Sequence, residues 1–155
     1  MDNSGNSDLD TFMKLALDEA DAALLHGDVP VAAVCVLNGE VVAIRHNEKE
    51  ASGDASAHAE MLVLREAAQK LGVTYLTGAT LFATLEPCAM CAGAMVLYRI
   101  QRVVFAAYDT KAGACGSLYN LCADPRLNHE IDVVGGVMAD SSSEMLKSFF
   151  RRLRS

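Results

Sequence analysis

Apolar residues near the start of the chain recur at the spacing of an amphipathic helix. They are Phe12, Leu15, Ala16, Ala20, Ala23 and Leu24. Spacings of three and four residues place these side chains on one helix face, and Gly27 is a typical residue at a helix end. We therefore predict a first helix from Asp10 to about His26, preceded by a polar, disordered leader over residues 1–9.

Two short segments rich in β-branched residues come next, over residues 31–37 and 41–45. They are joined by Asn38-Gly39, a dipeptide that favours the tight turn of a β-hairpin. The pattern predicts two antiparallel strands, followed by a polar loop over residues 47–55.

The remaining chain alternates between helical and strand-like spacing. We predict a helix over residues 58–71 with Ser56 as its cap, a strand over 79–84, a helix after Pro87, strands over 102–107 and 131–134, and a closing helix over 141–153 capped by Ser141 or Ser142. The strand, helix and strand around Pro87 predict a right-handed parallel crossover. Combined with the antiparallel hairpin, this crossover makes the sheet mixed.

Composition limits the class of protein. The chain has 155 residues, 52% hydrophobic and 21% charged, which fits one globular domain over residues 10–155. Its start lacks the basic and apolar parts of a signal peptide, and no apolar run approaches membrane-spanning length. We therefore expect a cytoplasmic protein without a membrane partner. The net charge of −7 disfavours a surface that binds nucleic acid everywhere, so any such contact must be local.

Candidate chemistry is concentrated around Cys88 and Cys91, which share one face of the first turn of a predicted helix. Free backbone N–H groups and the helix dipole lower the pKa of a thiol at this position. By itself the pair fits either a thioredoxin-like redox motif or a metal site. The other cysteines, Cys35, Cys115 and Cys122, fit ordinary buried thiols.

A second motif favours the metal. His58 and Glu60 open a predicted helix, and His58 stands 30 residues before Cys88. His58, Cys88 and Cys91 give three ligands, as in a catalytic zinc site that keeps a position for water. A closed structural site needs a fourth ligand, for which the candidates are His46, Cys35 and Cys115. Glu60 favours catalysis, because a carboxylate beside an activated water can act as general base and acid.

The pair of motifs His-Ala-Glu and Pro-Cys-Ala-Met-Cys resembles the signature of the zinc-dependent cytidine deaminase-like superfamily. Within it the chain resembles the bacterial tRNA-specific adenosine deaminases over nearly its full length. The matching stretches include Val29-Pro30-Val31, Asn47, residues 57–60, 84–95 and 102–105, Asp109, residues 111–114, Gly116-Ser117, Asn128-His129 and residues 149–151. The resemblance implies a three-layer α/β/α sandwich with a mixed five-stranded sheet.

The resemblance also implies an activity, hydrolytic deamination of adenosine to inosine at the wobble position of tRNA anticodons. One Zn²⁺ per subunit would be bound by His58, Cys88 and Cys91, with Glu60 as the proton shuttle. The implied partners are the anticodon stem-loop of tRNA and a second copy of the chain in a homodimer.

Residues implied to bind the substrate come from three parts of the chain. Asn47 and the backbone of Ala59 would contact the base, Asp109 and Lys111 the neighbouring nucleotides, and Phe149, Phe150 and Arg151 the anticodon loop. Simpler interpretations also exist. Asn47 fits the cap of a turn, and Phe149 and Phe150 fit the core side of an amphipathic helix.

Two other functions stay open from sequence alone. The acidic net charge favours a deaminase of free guanine, cytosine or cytidine. A zinc-stabilised RNA-binding protein without turnover is the other alternative, and the presence of Glu60 argues against it.

Overall fold

A computed structural model of the protein describes residues 4–154, with side chains from residue 8 onward. Its helices are α1 (Ser4–Ala23), α2 (Lys49–Ser52), α3 (Ala59–Leu71), α4 (Ala89–Tyr98) and α5 (Ala139–Arg154). Its strands are β1 (Ala32–Leu37), β2 (Glu40–His46), β3 (Thr80–Leu85), β4 (Arg102–Ala107) and β5 (Asp132–Val134). Among these described helices, none has the length and apolar character needed to cross a membrane.

The five strands form one mixed sheet in the order β2-β1-β3-β4-β5. Strand β1 is antiparallel to both β2 and β3, while β4 is parallel to β3 and β5. Asn38 and Gly39 both have positive φ, 53° and 77°, as the tightest hairpin turns require. The predicted hairpin and mixed sheet are therefore confirmed.

Helices cover both faces of the sheet. Successive side chains along a strand point to opposite faces, and here both faces carry apolar side chains that must be buried. On β1, Ala33 and Cys35 belong to the core cluster shared with α3 and α4. Val34 and Val36 point to the opposite face and belong to the cluster shared with α1. The result is the predicted three-layer α/β/α sandwich.

The first helix begins earlier than predicted. Helix α1 starts at Ser4, and Leu9 packs partly buried against the core cluster below α1. Leu9 extends the apolar stripe by one turn, so residues 4–9 are helical and not a disordered leader. Residues 1–3 of the predicted leader lie outside the described residues. The predicted polar loop over residues 47–55 contains the short helix α2.

Ser142 attaches α5 to the sheet. Helix α5 starts at Ala139, after Met138 with a φ of 57°, so neither Ser141 nor Ser142 is its cap as predicted. Ser142 is buried, and its hydroxyl donates to the backbone carbonyl of Thr84 near the end of β3. The Thr84 hydroxyl in turn accepts from the backbone N–H of Ala32, at 3.0 Å. This chain of hydrogen bonds joins α5, β3 and β1.

Replacing Ser142 with alanine tests this attachment. We expect Ser142→Ala to lower the free energy of unfolding by about 1–3 kcal/mol, because a buried hydrogen bond to Thr84 is lost. Urea unfolding followed by circular dichroism measures the change. Ser141→Ala is the matched control, since Ser141 is exposed in the same helix turn, and it should change stability by less than about 0.5 kcal/mol. Equal effects of the two variants would contradict the role of Ser142.

Candidate active site

The chain brings the starts of two helices together at one edge of the sheet. His58 precedes the first residue of α3, Cys88 precedes that of α4, and Cys91 lies in the first turn of α4. His58 Nδ1 lies 3.7 Å from Cys88 Sγ and 3.6 Å from Cys91 Sγ. The three ligand atoms all lie within 4.8 Å of one another. The structure thus assembles the three predicted ligands at a single point.

These distances fit zinc. A tetrahedral ion with bonds of about 2.3 Å to sulfur and 2.0–2.1 Å to nitrogen holds the two donor atoms about 3.6 Å apart. Across the described residues, this is the one cluster of three or more His, Cys, Asp or Glu ligands. His46, Cys35 and Cys115, the candidates for a fourth ligand, do not belong to it. His58, Cys88 and Cys91 are therefore positioned to bind zinc, and three protein ligands are the number typical of catalytic zinc sites.

The two cysteines have pKa values shifted in opposite directions. The hydrogen bond from Cys91 lowers the pKa of Cys88 to about 3, with burial opposing the shift and His58 adding to it. The pKa of Cys91 is raised, because its thiol donates to Cys88 and because it is buried. The lowered pKa of Cys88 favours its thiolate, which is the form that ligates zinc.

Glu60 lies in the first turn of α3, two residues after His58. Its side chain is only 4% exposed, and Oε1 has no hydrogen-bond partner among the described residues. Burial raises the pKa of Glu60, while its own backbone N–H and the charge of His58 oppose the shift. A buried carboxylate oxygen without a partner is costly, so its presence beside the ligands indicates a functional group.

Asn47 supplies the missing cap of α3. The backbone N–H of Ala59 donates to Asn47 Oδ1 at 2.8 Å. The predicted cap, Ser56, instead donates to Asp54 through both its backbone N–H and its hydroxyl. Asn47 also lines the neighbouring cavity, and with Oδ1 facing the Ala59 donor, Nδ2 is the remaining polar atom of its amide. The alternative that Asn47 acts as a cap is thus correct, and the same residue still offers a donor.

A cavity of about 270 Å³ opens beside the zinc ligands. Of the predicted site residues, its wall contains Asn47, His58, Glu60, Cys88, Asp109 and Phe150. Lys111 lines an adjoining cavity of about 360 Å³, which shares Asp109 and Phe150 with the first. The size and the mixed apolar and polar wall are suited to a single planar base.

The three predicted residues on α5 have different environments. Phe150 is 41% exposed and lines the zinc cavity, whereas Phe149 is 8% exposed. Their rings meet edge to face, with centroids 5.3 Å apart. Arg151 is exposed. The core interpretation therefore holds for Phe149, and Phe150 is the aromatic residue that a ligand could reach.

Sequence reasoning missed two carboxylates on the cavity wall. Asp28 is 2% exposed and accepts from the backbone N–H groups of Glu50 and Ala51, which caps α2. Glu86 is also 2% exposed and accepts four hydrogen bonds from the segment over residues 109–117. The sequence feature that could have indicated Glu86 is its position as a charged residue directly after a buried strand, in Leu-Glu-Pro-Cys.

Hydrogen bonds stabilise the negative charge of the Glu86 carboxylate. Burial raises the pKa of this carboxyl, but hydrogen bonds from Ser117, Asp109 and Cys115 outweigh burial and lower it below its ordinary value. Asp109 likewise accepts from the backbone N–H groups of Lys111 and Ala112, at 3.0 and 3.1 Å. Both carboxylates thus help to shape residues 109–117.

Comparison with known proteins places this site in a class. Residues 6–107 match the family model described as the cytidine and deoxycytidylate deaminase zinc-binding region. The match spans more than half of the chain and includes His58, Cys88 and Cys91. The chain belongs to this family of zinc-binding deaminases.

Its similarity to particular members is strong. The chain is 51% identical to the tRNA-specific adenosine deaminase of Bacillus subtilis (strain 168), over 92% of this chain and 89% of that protein. It is 44% identical to the tRNA-specific adenosine deaminase of Aquifex aeolicus (strain VF5), over 92% and 94%. A structure solved in a study of A-to-I editing by tRNA:A34 deaminases at the wobble position of transfer RNA matches with a TM-score of 0.84 and 43% identity, covering 88% of this chain and 99% of that one.

Loss of one ligand tests the zinc site. We expect purified protein to contain one zinc per chain, and Cys91→Ser to bind zinc at least about tenfold more weakly, because a thiolate ligand is removed. Elemental analysis after dialysis against a weak chelator measures both. Cys122→Ala is the control, since Cys122 is a buried free thiol outside the cluster. Full zinc content in Cys91→Ser, or equal loss in the control, would contradict the assignment.

Proposed function

We propose that this protein deaminates the wobble adenosine of tRNA anticodons to inosine by adding water and releasing ammonia. The observation that carries the proposal is the unpartnered Oε1 of buried Glu60 beside a three-ligand zinc cluster. The similarity to tRNA-specific adenosine deaminases over 92% of the chain supports adenosine in tRNA as the substrate. A tRNA substrate also supports a cytoplasmic location.

In this mechanism His58, Cys88 and Cys91 hold the zinc. The ion supplies a Lewis acid, which makes a water nucleophilic near neutral pH. Glu60 Oε1 accepts a proton from the attacking water, whose oxygen forms a bond to C6 of the adenine ring. Glu60 passes this proton to the ring nitrogen beside C6. It then takes the remaining proton from the hydroxyl on C6 and delivers it to the amino group, so that the C6–N bond breaks, the carbonyl of inosine forms and ammonia leaves. Burial raises the pKa of Glu60 and so stabilises the protonated carboxyl that must exist between each uptake and release of a proton.

The base is held by an asparagine whose side-chain oxygen already accepts a hydrogen bond from the protein backbone. Asn47 Oδ1 is bonded to Ala59, which leaves Nδ2 to donate to an acceptor on the purine ring. Ala59 is fully buried, so it acts through the orientation that it gives Asn47. A preorganised donor of this kind binds the base without having to reorient.

The rest of the nucleic acid contacts a limited surface. Phe150 offers a ring for stacking by an unpaired base, and buried Phe149 supports that ring from the side. Arg151 belongs to the basic end of α5, together with Lys147, Arg152 and Arg154. We expect Asp109 and Lys111, which line the two adjoining cavities, to contact the nucleotides beside the target. Local contact of this kind fits an acidic protein, and we infer a homodimer in which the anticodon stem-loop spans both copies.

Inosine formation is the direct test of the reaction. We expect the protein to convert the wobble adenosine of an arginine tRNA with an ACG anticodon, and of the isolated stem-loop, to inosine. Glu60→Gln should lower kcat by at least about a thousandfold while zinc content is retained, because the proton shuttle is lost. Nuclease digestion followed by mass spectrometry measures the product.

Free adenosine, cytidine, cytosine and guanine are the comparison substrates. Turnover of one of these without any inosine in tRNA would assign the protein to small-molecule deamination. Full activity of Glu60→Gln would exclude the proposed proton transfer, and zinc binding with no turnover of any substrate would favour an RNA-binding protein.

Two substitutions separate the roles of Asn47. Asn47→Asp keeps an acceptor for the Ala59 N–H but loses Nδ2, so we expect unchanged or higher stability and a kcat/KM at least about tenfold lower. Asn47→Ala loses both, and should also lower the free energy of unfolding by about 1 kcal/mol. Thermal unfolding and kinetics on the stem-loop measure the two effects. Wild-type kcat/KM in Asn47→Asp would show that Asn47 is a cap only.

A further inference from the structure

Glu86 occupies an unusual position for a carboxylate. It directly follows β3, precedes Pro87 and Cys88, and is almost completely buried. Its Oε1 accepts from the backbone N–H of Asp109, at 3.1 Å, and from the hydroxyl of Ser117. Its Oε2 accepts from the backbone N–H groups of Cys115 and Ser117, both at 3.0 Å. Each oxygen therefore serves two donors, and all four donors come from one segment.

Residues 109–117 form the 109–117 loop. It is also joined to the metal-bearing turn by its backbone. The N–H of Ala114 donates to the Pro87 carbonyl at 2.8 Å, and Gly113 forms an isolated β-bridge with Cys88. Gly113 lies so close to the Glu86 carboxylate that a side chain at position 113 would collide with it. The 109–117 loop is thus fitted against the residues that lead to a zinc ligand.

The same loop forms part of the wall of the zinc cavity. Asp109 and Ala112 line that cavity, and Lys111 lines the adjoining one. The chain leaves the sheet after Ala107 and re-enters it only at Asp132, so the positions of these residues depend on what holds the loop between residues 109 and 117. Among the described contacts, Glu86 provides four of the hydrogen bonds that do so.

We propose that Glu86 is a positioning residue, which fixes the 109–117 loop in the conformation that binds the nucleotides around the target adenosine. The effect of Glu86 on the reaction passes through Asp109, Lys111 and Ala112, so it falls on substrate binding and not on the chemical step. The inference rests on the proposed function for the identity of the substrate. The loop conformation itself can be tested without any substrate.

A carboxylate is required by the geometry. Both oxygens of Glu86 accept two hydrogen bonds, and at least one donor at each oxygen is a backbone N–H. Glutamine has the same shape, but in either orientation its amide nitrogen faces a backbone N–H that it cannot accept from. Glu86→Gln therefore breaks part of the network while leaving the volume of the side chain unchanged.

The first experiment measures backbone hydrogen exchange by NMR, residue by residue, in the zinc-loaded protein. In Glu86→Gln the N–H groups that face the new amide nitrogen, either that of Asp109 or those of Cys115 and Ser117, should exchange at least about tenfold faster, as expected for lost hydrogen bonds. The N–H groups within β3 serve as the internal reference and should not change. Unchanged exchange at all three loop positions would overturn the proposal, whatever the substrate of the protein is.

The second experiment uses the same variant with the ACG anticodon stem-loop. We expect KM to rise at least about tenfold while kcat stays within about threefold and zinc content stays at one per chain. Glu130→Gln is the control, because Glu130 is an exposed glutamate that precedes β5, and its kinetics should equal those of the wild type. A variant that is less stable but has wild-type KM below its unfolding temperature would show a purely structural role and overturn the proposal.

A milder variant covers the case in which Glu86→Gln does not fold. Ser117→Ala removes only the hydroxyl donor to Oε1, so KM should rise about threefold with kcat unchanged. Wild-type KM in Ser117→Ala would then overturn the inference. If wild-type protein produces no inosine in any RNA, the proposed function fails, and the exchange measurement still decides whether Glu86 holds the loop.

Discussion

The site depends on the use of two helix N-cap positions for metal binding. His58 and Cys88 occupy the N-caps of α3 and α4, yet neither side chain forms a capping hydrogen bond to its own helix. Serine, threonine, aspartate and asparagine usually fill this position because their oxygens accept from the first turn. Here the side chains are turned towards a common point, and Asn47 from another segment caps α3. The sheet makes this possible, because β3 and the β1–β2 hairpin bring the two helix starts and Asn47 to the same edge.

The carboxylates around the cavity divide into two kinds. Asp28, Glu86 and Asp109 each accept backbone N–H groups, so their charges are offset by fixed dipoles and they shape the wall. Glu60 alone among these four has a buried oxygen without a partner in the described structure. The wall of the cavity thus contains several carboxylates, of which one has a buried oxygen that no hydrogen bond occupies. This division also explains how a chain with a net charge of −7 can present a site compatible with nucleic acid.

Much of the site could be read from sequence because its essential residues are close together in local elements. The spacing of Cys88 and Cys91 is a property of one helical turn, and so is that of His58 and Glu60. The contacts of Glu86 span 23 to 31 residues, and no local pattern encodes such a pairing. The prediction of Ser56 as the cap of α3 is wrong. Helix caps are usually adjacent in sequence to the helix start, whereas the oxygen that accepts from the Ala59 N–H belongs to Asn47, 12 residues away. Phe149 and Phe150 are adjacent and chemically equal, so only the packing of α5 separates the buried ring from the accessible one.

The close fit at Gly113 has a consequence for how the enzyme could be altered. Because the backbone there leaves no room for a side chain beside Glu86, residue 113 cannot vary without displacing the Glu86 carboxylate or the Asp109 carbonyl. Lys111 and Ala112, immediately before it, are exposed and face no such restriction. Divergence towards new substrates, in nature or by directed evolution, would therefore accumulate at the outer face of the loop. The residues on the inner face of the loop, which pack against Glu86, would stay constant. The same loop backbone could then support several substrate specificities.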